Sequence, residues 1–236
     1  MAEPYQLILS QSLFAMVILS TASIWYILHK AVTKTIVKRQ TLISASILLI
    51  LFSWLAIASL LGSAGFFSTE TFLVAHVIIP ITLSVLITHF LFRKQVFKQF
   101  VNNISQPLII SVQFFRVMGA SFLYLYALKL LPGAFAIPSG VGDIIIGLSA
   151  PLVGYLYYVK KDAVRNVVIL WNVLGILDLV IAFLAGFLTY PNYHILNTAV
   201  PNNLLFNYPL VTVPAFAVPL SIILHWFSLR ALLSKK

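Results

Sequence analysis

Three side chains stand where lipid would be expected. Arg116, Asp143 and Asp178 each fall inside an apolar run long enough to cross a membrane. One such charge costs about 2.5–3.5 kcal/mol at a helix centre, so three without partners would cost on the order of 8–10 kcal/mol. Charges of this kind persist when they face a bundle interior, pair with one another or line water. An arginine with two acids suggests a division of labour. A salt bridge neutralises one carboxylate and leaves the other as a switchable proton site. Two carboxylates held close together resist ionising at the same time, and such a group is a natural element of proton coupling.

Small residues place both acids in packing seams. Gly140, Asp143, Gly147, Ala150 and Gly154 recur at spacings of three and four, and Gly175, Asp178, Ala182 and Ala185 do the same. A face of small residues lets another helix backbone come close. Both stretches read G-x-x-D-x-x-x-[GA]-x-x-A, which fits an inverted pair of helices of the kind transporters use. Asp143 lies a few residues from the middle of its run, on the order of 5 Å at 1.5 Å per residue. Asp178 lies at similar depth. Arg116, in "SVQFFRVMG", is about nine residues or roughly 13 Å from the inner end of its own run. It is expected to reach an aspartate, the alternative being a side chain that snorkels to the interface. Gln113, Arg116, Ala120 and Tyr124 share one α-helical face, and Asn172 adds a further buried polar group.

The elements that position these residues follow from composition. Of 236 residues, 61% are hydrophobic and 8% charged, against about 25% charged in an ordinary soluble domain. The apolar runs are continuous and do not alternate, which excludes a β-barrel. Seven spans are expected, at about 6–29, 41–61, 71–92, 107–130, 135–158, 164–188 and 209–230, in one all-α transmembrane domain. The first run lacks a basic leader and is read as a retained helix. There are no cysteines, so thiolate metal sites and cysteine nucleophiles are absent.

The net charge of +10 does not point to nucleic acid, because the basic residues sit in short clusters between spans. Lys30, Lys34, Lys38 and Arg39 follow the first span. Arg93, Lys94 and Lys98 follow the third, and Lys160, Lys161 and Arg165 the fifth. Arg230, Lys235 and Lys236 end the chain. The other side has only Lys129, with Glu3 and Glu70. The positive-inside rule then puts the N-terminus outside and the C-terminus in the cytoplasm, in the inner or plasma membrane. The same topology leaves the "NIS" glycosylation motif at Asn103 on the inner side and unused. The 189–208 segment, rich in Asn, Pro and Tyr, is an outer connector or a lid over an outward-facing cavity.

Other residues carry less. His29, His89 and His225 fall near inner span ends and are expected at the interface; no metal or haem is expected. Pro80, Pro209, Pro214 and Pro219 are expected to kink spans three and seven. Pro138 fits a first helical turn, or else span five begins with an irregular turn that presents free N–H groups.

"GVGD", Gly140 to Asp143, resembles the GxGD motif of the intramembrane aspartyl proteases, the presenilin, signal-peptide-peptidase and prepilin-peptidase group. The resemblance implies Asp143 as the GxGD acid and Asp178 as its partner, activating a water for peptide hydrolysis. "VPAF", Val213 to Phe216, echoes the PAL element of the presenilin branch. In those families the other aspartate precedes the GxGD helix, whereas Asp178 follows it, and Phe216 replaces the third residue of PAL.

The leading expectation is a membrane protein, not an enzyme, that passes or recognises a small solute or ion, proton-linked through Asp143 and Asp178 with Arg116 and Asn172. The alternatives are a non-catalytic subunit or scaffold, with a membrane-protein partner or a second copy, and the aspartyl protease.

Overall fold

The computed structural model describes residues 4–35, 39–67, 75–161, 163–191 and 195–234. Glu3, Lys38, Glu70, Tyr193, His194, Lys235, Lys236 and the start of the expected third span lie outside them. Among the described residues every regular element is helical, and six helices are long and apolar enough to cross a membrane. The chain thus has the make-up of a multi-pass helical membrane protein.

Four of these helices are unbroken: α1 (Pro4–Val32), α2 (Gln40–Ser63), α7 (Gly133–Lys160) and α8 (Arg165–Leu188). Each lies within a few residues of its expected span, because length and hydropathy govern crossing segments more than propensity does. The remaining two carry irregular turns. Span four is α5 (Gln106–Ser111), a 3₁₀ stretch Val112–Gly119 and α6 (Ala120–Ala127). Runs of 3₁₀ helix beyond three or four residues are uncommon, so eight in mid-span is a marked departure from the uniform helix expected.

The last span opens with a π turn, Val213–Ala217, and continues as α9 (Val218–Ser234). Pro219 has no N–H, so the carbonyl of Ala215 loses its α-helical donor. The indole of Trp54 on α2 supplies one instead, donating from Nε1 to Ala215 O at 3.1 Å. The proline expected to kink this span is therefore satisfied by a neighbouring helix.

The segment after span three is not a plain loop. α3 (Ala75–Leu91) is followed by a bend of 105° into α4 (Gln95–Asn103). Val101 of α4 is buried, and Phe97 and Phe100 pack half-buried against the core. Asn103 Nδ2 donates to the Lys34 carbonyl at 3.3 Å, so the "NIS" asparagine sits beside the α1–α2 turn. Arg165 donates to Leu232 O, and Arg230 lies over Phe92 at 5.7 Å. The described basic turns thus gather at one end, called here the basic end.

α7 is the centre of the bundle and packs on α5, the 3₁₀ stretch, α6 and α8. Its glycines make this closeness feasible. A side chain at Gly140 would strike Leu123 and Gly119 O, one at Gly147 would strike Val117, and one at Gly154 would strike Ser111 and Pro107 O. At the opposite end, a 3₁₀ turn, Asn203–Phe206, points inward. Leu205 and Phe206 are buried there, and Asn202 Nδ2 donates to Thr189 Oγ1 at 2.9 Å.

Candidate functional site

Arg116 projects from the 3₁₀ stretch and is 2% exposed. Three residues make one 3₁₀ turn, so Gln113, Arg116 and Gly119 stack on one face. Gln113 and Arg116 are buried, and Gly119 lies against the Asp143 carboxylate. The α-helical stripe expected through Ala120 and Tyr124 does not form. Both are exposed, because the tighter winding turns them off this face.

The guanidinium bridges the two acids. Its Nε donates to Asp143 Oδ1 at 2.7 Å, and its Nη2 pairs with Asp178 Oδ2. Arg116, Asp143 and Asp178 are therefore brought together, from span four, α7 and α8. No described residue donates to Asp143 Oδ2 or Asp178 Oδ1. Asp178 packs on Gly142, where any side chain would overlap its carboxylate. The two look-alike seams have different neighbours: Gly140, Gly147 and Gly154 of α7 face span four, whereas Gly175 of α8 faces the His225 ring of α9.

Arg116 Nη1 donates to Gly175 O at 3.0 Å and contacts His225 Nε2 at 3.3 Å. Arginine has no acceptor, so Nε2 accepts and the ring proton belongs on Nδ1. Nδ1 then donates to Asn172 Oδ1 at 2.9 Å. Asn172 Nδ2 donates to Ser228 Oγ at 3.0 Å, and Ser228 donates to Gln106 Oε1 at 2.9 Å. The result is a one-way chain of donors from Arg116 toward the basic end. All five members are buried, none more than 5% exposed. It ends on Gln106, whose Nε2 has no partner.

Asn172 thus belongs to the constellation, but it reaches the acids only through His225 and Arg116. His225 itself is a correction. Expected at the interface, it is fully buried. Ser221, His225 and Ser228 recur at spacings of four and three on α9, a polar stripe that could have disclosed it. Ser221 and Gln113 pair beside the chain, Oγ to Oε1 at 2.8 Å and Nε2 to Ser221 O at 3.2 Å. His29 bonds Ser44 Oγ at 2.6 Å, and His89 is exposed.

The irregular start expected as an alternative for span five is also not there. Pro138 lies inside an unbroken α7, and the irregular backbone is in span four.

A cavity of about 50 Å³ runs from Asp143 to Leu205 and Phe206. Asp143 is its one charged wall residue. Phe122, Phe135, Phe183, Phe187 and Phe206 line it too, among aliphatic residues such as Ile81 and Leu179. Leu205 and Phe206 of the inward turn line its far side.

Residues 71–233 match a family model described as Domain of unknown function (DUF8737). That stretch contains Arg116, Asp143, Asn172, Asp178 and His225. No curated protein and no solved structure matches the chain.

Proposed function

This chain belongs to the DUF8737 family, and we propose that it passes or recognises a small solute or ion in proton-linked fashion. The observation that carries this reading is the imbalance at Arg116: one guanidinium serves two carboxylates. With both acids ionised, one negative charge inside the span region has no counter-charge. Such a charge is costly in lipid, and a proton or a cationic solute removes the cost. Arg116 holds one acid while the other exchanges. The Asp143 cavity supports the reading by giving one carboxylate a space in which to do so.

In this proposal the 105° pair of α3 and α4 supplies the seventh crossing, and residues 1–236 form one transmembrane domain. The basic end faces the cytoplasm under the positive-inside rule, in an inner or plasma membrane, with the N-terminus outside. The 189–208 segment is then a lid over the cavity. A protease would need both carboxylates on one water, and here the guanidinium bridges them.

The buried donor chain favours a second reading, a scaffold whose polar network only sets helix packing. Proton flux separates the two. In liposomes carrying an internal pH dye, wild type under a pH gradient is expected to pass protons, and Asp143→Asn or Asp178→Asn to abolish it in folded protein. Flux no higher than that of empty liposomes, with and without a cationic solute, would favour the scaffold.

A further inference from the structure

The wall of the Asp143 cavity names a ligand class. We infer that it is a site for a small, weakly hydrated organic ammonium ion, held by the Asp143 carboxylate and the phenylalanine rings around it. This inference rests on the transport reading and narrows its solute.

Hard metal cations fit this wall poorly. Sodium, magnesium and calcium bind through several oxygens, and this wall offers one carboxylate among apolar side chains. That carboxylate already spends Oδ1 on Arg116. A hard cation would have to give up its water here with almost nothing in return. An alkylammonium ion gives up little, because its charge is spread under methyl groups. Aromatic faces then attract it through their quadrupole, more strongly when the contact is desolvated.

The rings come from four parts of the chain. Phe122 is on α6, Phe135 on α7, Phe183 and Phe187 on α8, and Phe206 in the inward turn. Phe122 and Phe135 meet edge to face at 5.2 Å, and Phe206 is braced by Tyr190 at 4.8 Å. Phe122, Phe135 and Phe206 are almost wholly buried. The volume sets the size of the ligand. One water needs about 10–15 Å³ by this kind of measure, so about 50 Å³ holds a group of only a few heavy atoms. Tetramethylammonium is of that order. A larger amine could enter only head first.

Asp143 contributes the charge and the rings contribute selectivity. Proton and ammonium would compete for one carboxylate, so ammonium binding should release a proton when Asp143 is protonated.

The test is calorimetric titration of the purified full chain in nanodiscs with tetramethylammonium chloride. Sodium chloride and tert-butanol, an uncharged molecule of similar bulk, serve as controls. Saturable binding of tetramethylammonium is expected, with neither control binding. Asp143→Asn should weaken it about tenfold or more. Phe183→Leu, which keeps the apolar bulk and removes a ring, should weaken it by roughly 5- to 30-fold. Each variant is first checked for a wild-type elution profile. Equal binding of tert-butanol, or an unchanged affinity in Phe183→Leu, would overturn the aromatic-cation assignment. No tetramethylammonium binding in a protein that still passes protons would overturn this inference and leave the transport reading standing. Ring-dependent binding without proton flux would keep the site and remove the transport.

Discussion

Gly140, Gly147 and Gly154 bring α7 hard against span four, whereas α2 and α3 face each other across a crevice of about 1,000 Å³. Both arrangements sit in one bundle, and α2 and α3 each pack on the π turn Val213–Ala217. The difference lies in side-chain size and polarity. Water cannot drive helices together inside a bilayer, so close packing and internal hydrogen bonds must do it. The α7 side has small residues at its seams and a network of buried polar groups. The crevice walls carry large aliphatic residues such as Ile57, Ile79 and Leu83, with no charge except Lys94 at the basic end. Cohesion is therefore concentrated around Arg116, and the α2–α3 side is held mostly through its edges.

Substitutions can break or sharpen this contrast. The largest effect is expected at Arg116. Arg116→Leu leaves two carboxylates in the span region without a cation and should destabilise the fold by about 3–5 kcal/mol. Thermal or denaturant unfolding in detergent reads this, and adding Asp143→Asn and Asp178→Asn to the same chain should recover most of the loss. A melting curve unchanged by Arg116→Leu alone would mean that the ion pairs contribute no cohesion.

Gly142→Ala comes next. Its methyl group would overlap the Asp178 carboxylate, which Arg116 holds in place, so about 1–3 kcal/mol should be lost. The smallest effect belongs to the crevice. Leu83 is 54% exposed, and Leu83→Ala should change unfolding by no more than about 0.5 kcal/mol. A loss there as large as that of Gly142→Ala would show that the two sides are equally cohesive.

The parts of this contrast that the residues announced are those governed by length and by cost. Span positions follow from hydropathy, so α1, α2, α7 and α8 fall where expected. Asp143, Asp178 and Arg116 stood out because a charge in lipid is expensive wherever it occurs. The winding of span four was not legible, since Val112–Gly119 has the composition of an ordinary helix and its 3₁₀ form follows from packing against α7. For the same reason the Ala120 and Tyr124 face was misplaced. His225 lies near a span end, which points to the interface, while its stripe with Ser221 and Ser228 points to the interior where it sits. The α4 helix is not legible because nine mixed residues between two spans fit a loop equally well. The cavity could not be foreseen at all, for its phenylalanines come from four separate segments.

Span four has one more consequence. A 3₁₀ helix rises about 2.0 Å and turns about 120° per residue, against about 1.5 Å and 100° in an α-helix. Over the eight residues Val112–Gly119 these differences accumulate. Rewinding the stretch as α-helix would shorten the span by about 4 Å and rotate one half against the other by about 160°. Span four is in effect a wound screw with Arg116 mounted on its thread. Any motion that unwinds it must carry the guanidinium away from at least one of its two acids.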